Sequence, residues 1–564
     1  MRLLPIPFFI VLTLLLSMGT QAQEPPPGAY RFEEVRVPLS DGVHLQADLY
    51  LPEAEGAHPV ALYVPPYNPT SPHRQRRAAY LAEHGYATVV LSPRGKFGSE
   101  GVYLPFIDET PDLLDALEWM LDQPWSDGRV GIYGSSSSSY SGQLLAATGH
   151  PAIRALVNHS GLTDSRELFF PGGAFRLNTL YPWLSFIYLE ERFAPDQWPG
   201  RFAQRPLAAG FPWAPGTLYR MAEGMVPVVH IQVPVLHLTG WNDVVYRHTL
   251  TLYEGIVQAQ DGTVPQALMV GPWMHNYDGE QTQFGDEDYG AASVFSQVDD
   301  FRSVVAWFDR YVKGIDNGVD AGVRLFVMGE NRWLEAERWP VEGATGQRWY
   351  LAPPEDDGSG YAGQLVQDAP MGEGTASYTY DPSNPVLTYG GVNSHLFPAE
   401  AGPLDQARFM ERPDVLAFAS RPLSQAQTLL GRLCVVLHAS TDAPDTDFVA
   451  KLVVIQPDGY QRIVEDGIVR ARYRHGYPRP ASALEPGEVY RFELDLGWTA
   501  LRLNAGDRLG VHISSSNFPK YDLNPNTGMD PLQASDFRSA NQTVHFSATY
   551  PSYLDVEVLT DASP

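Results

Sequence analysis

The 564-residue sequence holds one cysteine, Cys434, so an intrachain disulfide is excluded. It has no Cys-x-x-Cys pair and no histidine-rich tract, so nothing in it points to a structural metal. Cys434 lies in the apolar run Leu433 to Leu437 and reads as a core residue. Basic residues are scarce: 39 Lys and Arg stand against 66 Asp and Glu, a formal charge of −27. That balance argues against nucleic acid or an anionic membrane as a partner, and because the charge is spread along the chain it mainly confers solubility. Internal repeats are absent, and no apolar run reaches the ~20 residues that span a bilayer.

What is present suits folded cores: 44% of residues are apolar and 12% aromatic. The length predicts two or three domains. Met1 and Arg2 precede the apolar run Phe8 to Leu16, and Thr20-Gln21-Ala22 offers a small-residue cleavage site. Residues 1–22 therefore read as a signal peptide that exports the chain to the periplasm or the medium. The run is too short for a membrane anchor, and no cysteine follows it to carry a lipid.

After the spacer Pro25-Pro26-Pro27-Gly28, the segment Tyr30 to Leu51 alternates apolar and polar residues around a Ser40-Asp41-Gly42 turn, which predicts an antiparallel hairpin. Val60 to Val64, Ala87 to Leu91 and Val130 to Tyr133 are continuous apolar runs, as strands buried on both faces require. Helical patterns lie between them at Gln75 to His84 and Pro111 to Asp122. Leu168 to Arg220, rich in aromatics and proline, reads as a mostly helical insertion over the ligand edge of the sheet. The α/β pattern resumes at Val233 to Leu238, Thr249 to Gln258 and Ala267 to Val270, and Phe301 to Val312 reads as the last helix. Beyond Arg348 helices nearly vanish. Glu488 to Leu496 alternates with period two, and Leu433 to Leu437, Phe448 to Ile455 and Leu509 to Ile513 are further strands, with Gly358-Ser359-Gly360 the one linker-like stretch near the boundary. The expected organisation is a parallel, doubly wound α/β core at 29–158 and 230–345, a mostly helical cap at 159–229, and an all-β sandwich or jelly roll at 346–564.

In open α/β sheets the ligand site lies at the carboxyl ends of the strands. Just past four apolar runs come Pro65-Pro66-Tyr67, the tract Ser135 to Ser139, Gly240-Trp241-Asn242-Asp243, and Gly271-Pro272-Trp273-Met274-His275. Five serines in a row would ordinarily mark a flexible linker. Here a buried strand precedes them and an apolar helical stretch follows, which fits a nucleophile elbow. The order Ser, Asp, His is that of an α/β-hydrolase. A serine hydroxyl needs an imidazole to take its proton and a carboxylate to orient that imidazole. His248 is a rival base, but it falls on the helix after Asp243; His275 has its own strand end.

Together with Arg94-Gly95, Gly98-Ser99-Glu100-Gly101 and Gln123 to Gly131, these motifs resemble the cocaine esterase and X-prolyl dipeptidyl-peptidase family of serine hydrolases. Asp442 to Phe448, Arg470 to Arg474 and Ser514 to Pro519 resemble the family's β-sandwich domain. The resemblance implies Asp243 as the acid, His275 as the base, and two oxyanion donors: the Tyr67 hydroxyl and the backbone N–H of the residue after the nucleophile, Ser137. The family's Gly-x-Ser-Tyr-x-Gly pattern fits in two registers. Local identity selects Ser139 as nucleophile, next to Tyr140. The two-residue spacing from Gly134, and a following helix that reaches His150-Pro151-Ala152-Ile153 without a gap, select Ser136, which is the expected nucleophile with Ser139 the alternative; Ser137 and Ser139 then stand where relatives carry tyrosine and glycine.

In the family's α-amino-ester hydrolases a carboxylate cluster holds the substrate ammonium. The corresponding places here are Val245, Tyr246 and, counted from Ser136, Phe170. The resemblance thus implies an apolar acyl pocket lined by Phe169, Phe170, Val245 and Tyr246, with Tyr181, Trp183 and Phe186 of the cap. Asp286-Glu287-Asp288 could supply charge, although a solvated loop is the plainer reading. The expected reaction is hydrolysis of a small-molecule ester through an acyl-serine, with no cofactor and no metal. Amide cleavage of the X-prolyl peptidase type, and a non-catalytic binding protein with a decayed elbow, are the alternatives.

Overall fold

The computed structural model describes residues 30–189, 220–275, 280–296, 301–355, 360–393, 400–476, 481–531 and 534–560. The expected signal peptide, the Pro25 to Gly28 spacer, residues 190–219 of the cap, and Gly358 and Ser359 lie outside them. Among the described residues no helix is long and apolar enough to cross a membrane.

The hairpin comes first along the described chain: β1 (Tyr30–Pro38) and β2 (His44–Pro52) pair antiparallel with Val37 opposite Leu45. Strands β3 (His58–Tyr63), β4 (Ala87–Leu91), β5 (Ser126–Ser135), β6 (Ile153–His159), β7 (Val235–Asn242) and β8 (Gln266–Met274) build the parallel centre. A two-residue ribbon, β9 (Gln283–Phe284) with β10 (Glu287–Asp288), follows; β11 (Gly322–Val327) and β12 (Arg332–Ala336) then extend the sheet past the helix expected to be its last. The order β1-β2-β4-β3-β5-β6-β7-β8-β11-β12 is a doubly wound sheet with antiparallel edges. Central strands such as β4 are buried along their full length, which is why they read as unbroken apolar runs rather than alternations.

Helices α1 (Pro72–Glu83), α2 (Thr110–Leu121), α3 (Ser137–Ala146), α6 (Tyr246–Ala259) and α7 (Arg302–Phe308) pack on the sheet, and α4 (Ser165–Phe169) and α5 (Leu177–Leu189) lie in the inserted segment between β6 and β7. Helices α1 and α2 begin earlier than their apolar pattern because each has a proline at its first or second position, where no N–H is needed. In α2, Leu113, Leu117 and Met120 form the buried stripe. Helix α7 is shorter than expected and runs into a π turn at Asp309–Lys313.

From Thr345 the chain is all β, apart from short 3₁₀ turns among the described residues. Eleven strands, β13 (Thr345–Ala352) to β23 (Tyr553–Thr560), form the second sheet. Within it, β20 (Tyr490–Leu503) buries Phe492, Leu494 and Leu496 and exposes Arg491, Glu493 and Asp495, as its period-two pattern requires. β20 pairs with β17 (Gln427–Thr441), and it also packs on β19 (Gln461–Arg470), which lies far away in the strand order, so the sheet closes over its core. One cluster of buried side chains is continuous between the two sheets, including Trp241 and Tyr246 on one side and Leu433 and Phe492 on the other. The molecule is an α/β-hydrolase core joined through this shared core to a jelly roll.

Candidate active site

Each chemistry-bearing residue stands just past a strand of the parallel centre: Tyr67 after β3, Ser136 after β5, Asp243 after β7 and His275 after β8. The strand-to-helix turn between β5 and α3 is tight. A Cβ on Gly134 would stand 2.4 Å from Ser139 Cα, so only glycine lets strand and helix approach this closely. Ser136 takes φ 57° and ψ −130°, a left-handed conformation that costs about 1–3 kcal/mol and projects the side chain from the turn. Its amide is tied to the His159 carbonyl at 2.9 Å.

Ser136 Oγ lies 2.9 Å from His275 Nε2, and His275 Nδ1 lies 2.8 Å from Asp243 Oδ1. The same Asp243 oxygen accepts the Val245 amide at 2.9 Å. Burial opposes the charge on Asp243, but the adjacent imidazole and the hydrogen bonds outweigh it and hold its pKa below the usual carboxylate range. Burial likewise opposes protonation of His275, and the attraction of Asp243 overcomes it, raising the imidazole pKa. With Asp243 ionised, Nδ1 carries the imidazole proton and Nε2 is free to accept one from Ser136. His248, the rival base, is buried on α6 and driven down to about 3 by that burial and by Arg176 and Arg247.

The hydroxyls of Ser137, Ser138 and Ser139 are engaged elsewhere. Ser138 Oγ donates to the Ser135 carbonyl at 2.6 Å and accepts the Ser135 amide at 2.8 Å, closing the turn. Ser139 is fully buried; its hydroxyl donates to Asn158 Oδ1 and accepts from Gln143 Nε2 at 3.0 Å. Gly161 makes room for it, since a Cβ there would meet Asn158 Oδ1 at 1.8 Å and Ser139 Oγ at 2.4 Å. Ser141 Oγ donates to Glu109 Oε2 at 2.6 Å. Ser137 Oγ donates to the Tyr67 hydroxyl at 2.9 Å. With these bonds the serine tract is a packed turn and helix, not a linker.

Tyr67 also accepts from Trp183 Nε1 of α5 at 2.9 Å, and the Arg74 guanidinium carbon lies 4.9 Å from its ring centroid. Trp183 stacks on Phe106 with centroids 5.4 Å apart, and Phe186 lies 6.3 Å from Tyr67. These contacts were not readable from the sequence, which carried no signal for Arg74 and named Trp183 only as one cap aromatic among several. A second histidine, His159, stacks on Phe295 near the Asp243–His275 pair; burial drives it down to about 3, so it stays neutral.

The expected pocket residues are distributed differently. Phe169 meets Phe106 edge-on and so lies behind the Phe106–Trp183 stack, while Phe170 packs on Phe169 and Phe175. Val245 is buried, its amide engaged by Asp243. Tyr246 is turned away from the serine altogether: its hydroxyl donates to Glu465 Oε1 at 2.9 Å and accepts the Trp498 amide at 2.9 Å, both in the jelly roll. The acidic trio is not a free source of charge either. Glu287 pairs with Arg462, and Asp286 accepts from the Tyr460 hydroxyl at 3.1 Å, so this segment bridges to the second sheet.

Comparison with known proteins agrees with this architecture over both halves. Residues 41–277 match the X-Pro dipeptidyl-peptidase (S15 family) model and residues 317–555 match the X-Pro dipeptidyl-peptidase C-terminal non-catalytic domain. Among solved structures, an aminopeptidase from a marine sediment Thaumarchaeota archaeon superposes with a TM-score of 0.81 at 23% identity, over 96% of this chain and 98% of that one. An α-amino acid ester hydrolase gives 0.76 at 24% identity, over 95% and 98%. The cocaine esterase of Rhodococcus sp. (strain MB1 Bresler) is 30% identical over 577 residues, which is 93% of this chain and 98% of that protein. Similarity of that depth, sustained across hydrolase core and jelly roll alike, means that the chain belongs to the X-prolyl dipeptidyl-peptidase and cocaine esterase family of serine hydrolases, enzymes acting on esters.

Proposed function

We propose that this chain is an exported hydrolase of small-molecule carboxylic esters that works through an acyl-serine intermediate on Ser136. The observation that carries the reading is the unbroken series Ser136 Oγ, His275 Nε2, His275 Nδ1, Asp243 Oδ1, with links of 2.9 and 2.8 Å at the strand ends. Ser136 Oγ attacks the ester carbonyl carbon as its proton passes to His275 Nε2. The carbonyl oxygen becomes an oxyanion, met by the Tyr67 hydroxyl and the Ser137 backbone N–H at the first turn of α3. Collapse breaks the bond to the alcohol, which leaves with the proton from His275. Water then attacks the acyl-serine with His275 again as base, releasing the carboxylic acid and restoring Ser136. Asp243 holds the imidazole tautomer and stabilises its transient charge. In this reading export rests on the leader-like residues 1–22.

An apolar acyl group suits the aromatic surround of Tyr67, formed by Trp183, Phe106 and Phe186. Val245, Tyr246 and Phe170 supply no carboxylate for a substrate ammonium. Amide cleavage is the second reading, favoured by the family model named for X-Pro dipeptidyl-peptidase. The test is a panel of aryl esters and aminoacyl-prolyl anilides, run with a phosphonate ester that labels activated serines. Ester turnover with the adduct on Ser136 supports the proposal. An adduct on Ser139 refutes the register, faster anilide turnover selects the peptidase reading, and an inert protein selects the binding alternative.

A further inference from the structure

We propose that Ser137 is a positioning residue for Tyr67: its hydroxyl, with the Trp183 indole, occupies both acceptor sites of the phenol oxygen and thereby aims the phenolic proton at the oxyanion. The inference rests on the reading of Tyr67 as an oxyanion donor and adds what makes that donor effective. A phenol has one proton and a limited set of acceptor lone pairs. Ser137 Oγ and Trp183 Nε1 both donate to Tyr67 from 2.9 Å, and an indole N–H can do nothing but donate. Ser136, from whose Oγ a tetrahedral intermediate would grow, is the third side-chain hydroxyl or N–H group that bears on the phenol. The proton is therefore directed before substrate arrives, and no rotation is needed when the oxyanion forms.

The same two donors draw electron density from the phenol oxygen and make its O–H a stronger donor, an effect to which Arg74 over the ring adds. Burial dominates the phenol's acidity and keeps it raised, so Tyr67 stays neutral and retains the proton it must offer. Ser137 thus serves twice: its amide faces the oxyanion directly, and its hydroxyl sets the second donor. Where the family pattern has a tyrosine, this chain has a side chain short enough to reach the phenol from the first turn of α3, so the device belongs to this sequence.

The experiment measures kcat and KM for an aryl ester with Ser137→Ala, Ser137→Thr, Trp183→Phe, Tyr67→Phe and the double variant Ser137→Ala/Tyr67→Phe. Tyr67→Phe should lower kcat about 100-fold or more with little change in KM. Ser137→Ala and Trp183→Phe should each lower kcat about tenfold with KM within twofold, and Ser137→Thr should recover most of the loss. In the Tyr67→Phe background Ser137→Ala should cost less than about twofold, because the group it positions is gone. An equal loss in both backgrounds, or full kcat in Ser137→Ala while Tyr67→Phe is impaired, overturns the positioning role alone. Full kcat in Tyr67→Phe overturns the oxyanion reading beneath it.

Discussion

Replacing Ser139 with alanine separates the two serines that the motif allows. The Ser139 hydroxyl is fully buried and makes two hydrogen bonds, one donated to Asn158 Oδ1 and one accepted from Gln143 Nε2. Its loss strands neither partner, because Gln143 Nε2 also donates to Asn158 Oδ1, at 2.9 Å. The cost is then that of two net hydrogen bonds at ~1 kcal/mol each, about 2 kcal/mol. For a domain of this size 1 kcal/mol moves Tm by roughly 2–4 °C, so Ser139→Ala should melt roughly 4–8 °C lower and retain kcat/KM for an aryl ester within about threefold. Ser136→Ala should do the opposite, with a Tm near that of the parent and kcat reduced about a millionfold. The measurements are thermal unfolding by circular dichroism and initial-rate kinetics on the same preparations. A folded Ser139→Ala protein without activity, beside an active Ser136→Ala protein, would refute the assignment; an unchanged Tm in Ser139→Ala would refute the energetic argument.

Three further outcomes follow from the geometry. The base must be neutral to accept a proton, so kcat/KM should rise with pH through the pKa of His275, above the ~6.5 of a free imidazole; Asp243→Asn should shift that limb downward and lower kcat about 10⁴-fold. Arg247 Nη2 pairs with the buried Glu465 at 3.1 Å, so Arg247→Ala should destabilise by about 3–5 kcal/mol in denaturant unfolding, whereas Arg247→Lys should cost less. Burial raises Glu109 to about 7, so the folded protein binds a proton that the unfolded chain has already lost, and Tm should fall as pH rises from about 4.5 to 7; Glu109→Gln should flatten that slope.

Much of the site was legible because a doubly wound sheet presents its chemistry at strand ends, and strands buried on both faces announce themselves as apolar runs. That rule brought out the short stretches ending in Tyr67, Asp243 and His275; the order Ser, Asp, His then pointed to the acid and the base, and the family resemblance supplied the role of Tyr67. The register of the serine tract could not, because what selects it is the approach of Gly134 to Ser139, a contact between backbones five residues apart that no spacing displays. β6 went unread although Gly149 and Pro151 part it from α3, because its unbroken apolar stretch is only Ala155-Leu156-Val157, set between Arg154 and Asn158. Tyr246 was misassigned for a different reason: its position relative to Asp243 is that of a substrate-facing residue in relatives, while its partners Glu465 and Trp498 lie more than two hundred residues downstream. Only tertiary packing records that choice. Ser137 and Ser139 depart from the family pattern, and both departures have local explanations, a bond to Tyr67 and a bond to Asn158 in space that Gly161 leaves open.

The segment that follows Asp243 is gripped from outside the hydrolase sheet. Arg176 of the cap donates to the Val244 carbonyl at 2.7 Å, and Tyr246 and Arg247 are bound by Glu465 and by the backbone at Asp466, Leu496 and Trp498. Recombination between homologous enzymes is therefore constrained in a way that the start of the all-β region at Thr345 conceals. A single crossover there always separates residues 246 and 247 from residues 465–498, so such chimaeras should be active chiefly where the two parents carry the same side chains at Tyr246, Arg247 and Glu465; the two halves are inherited as a single unit.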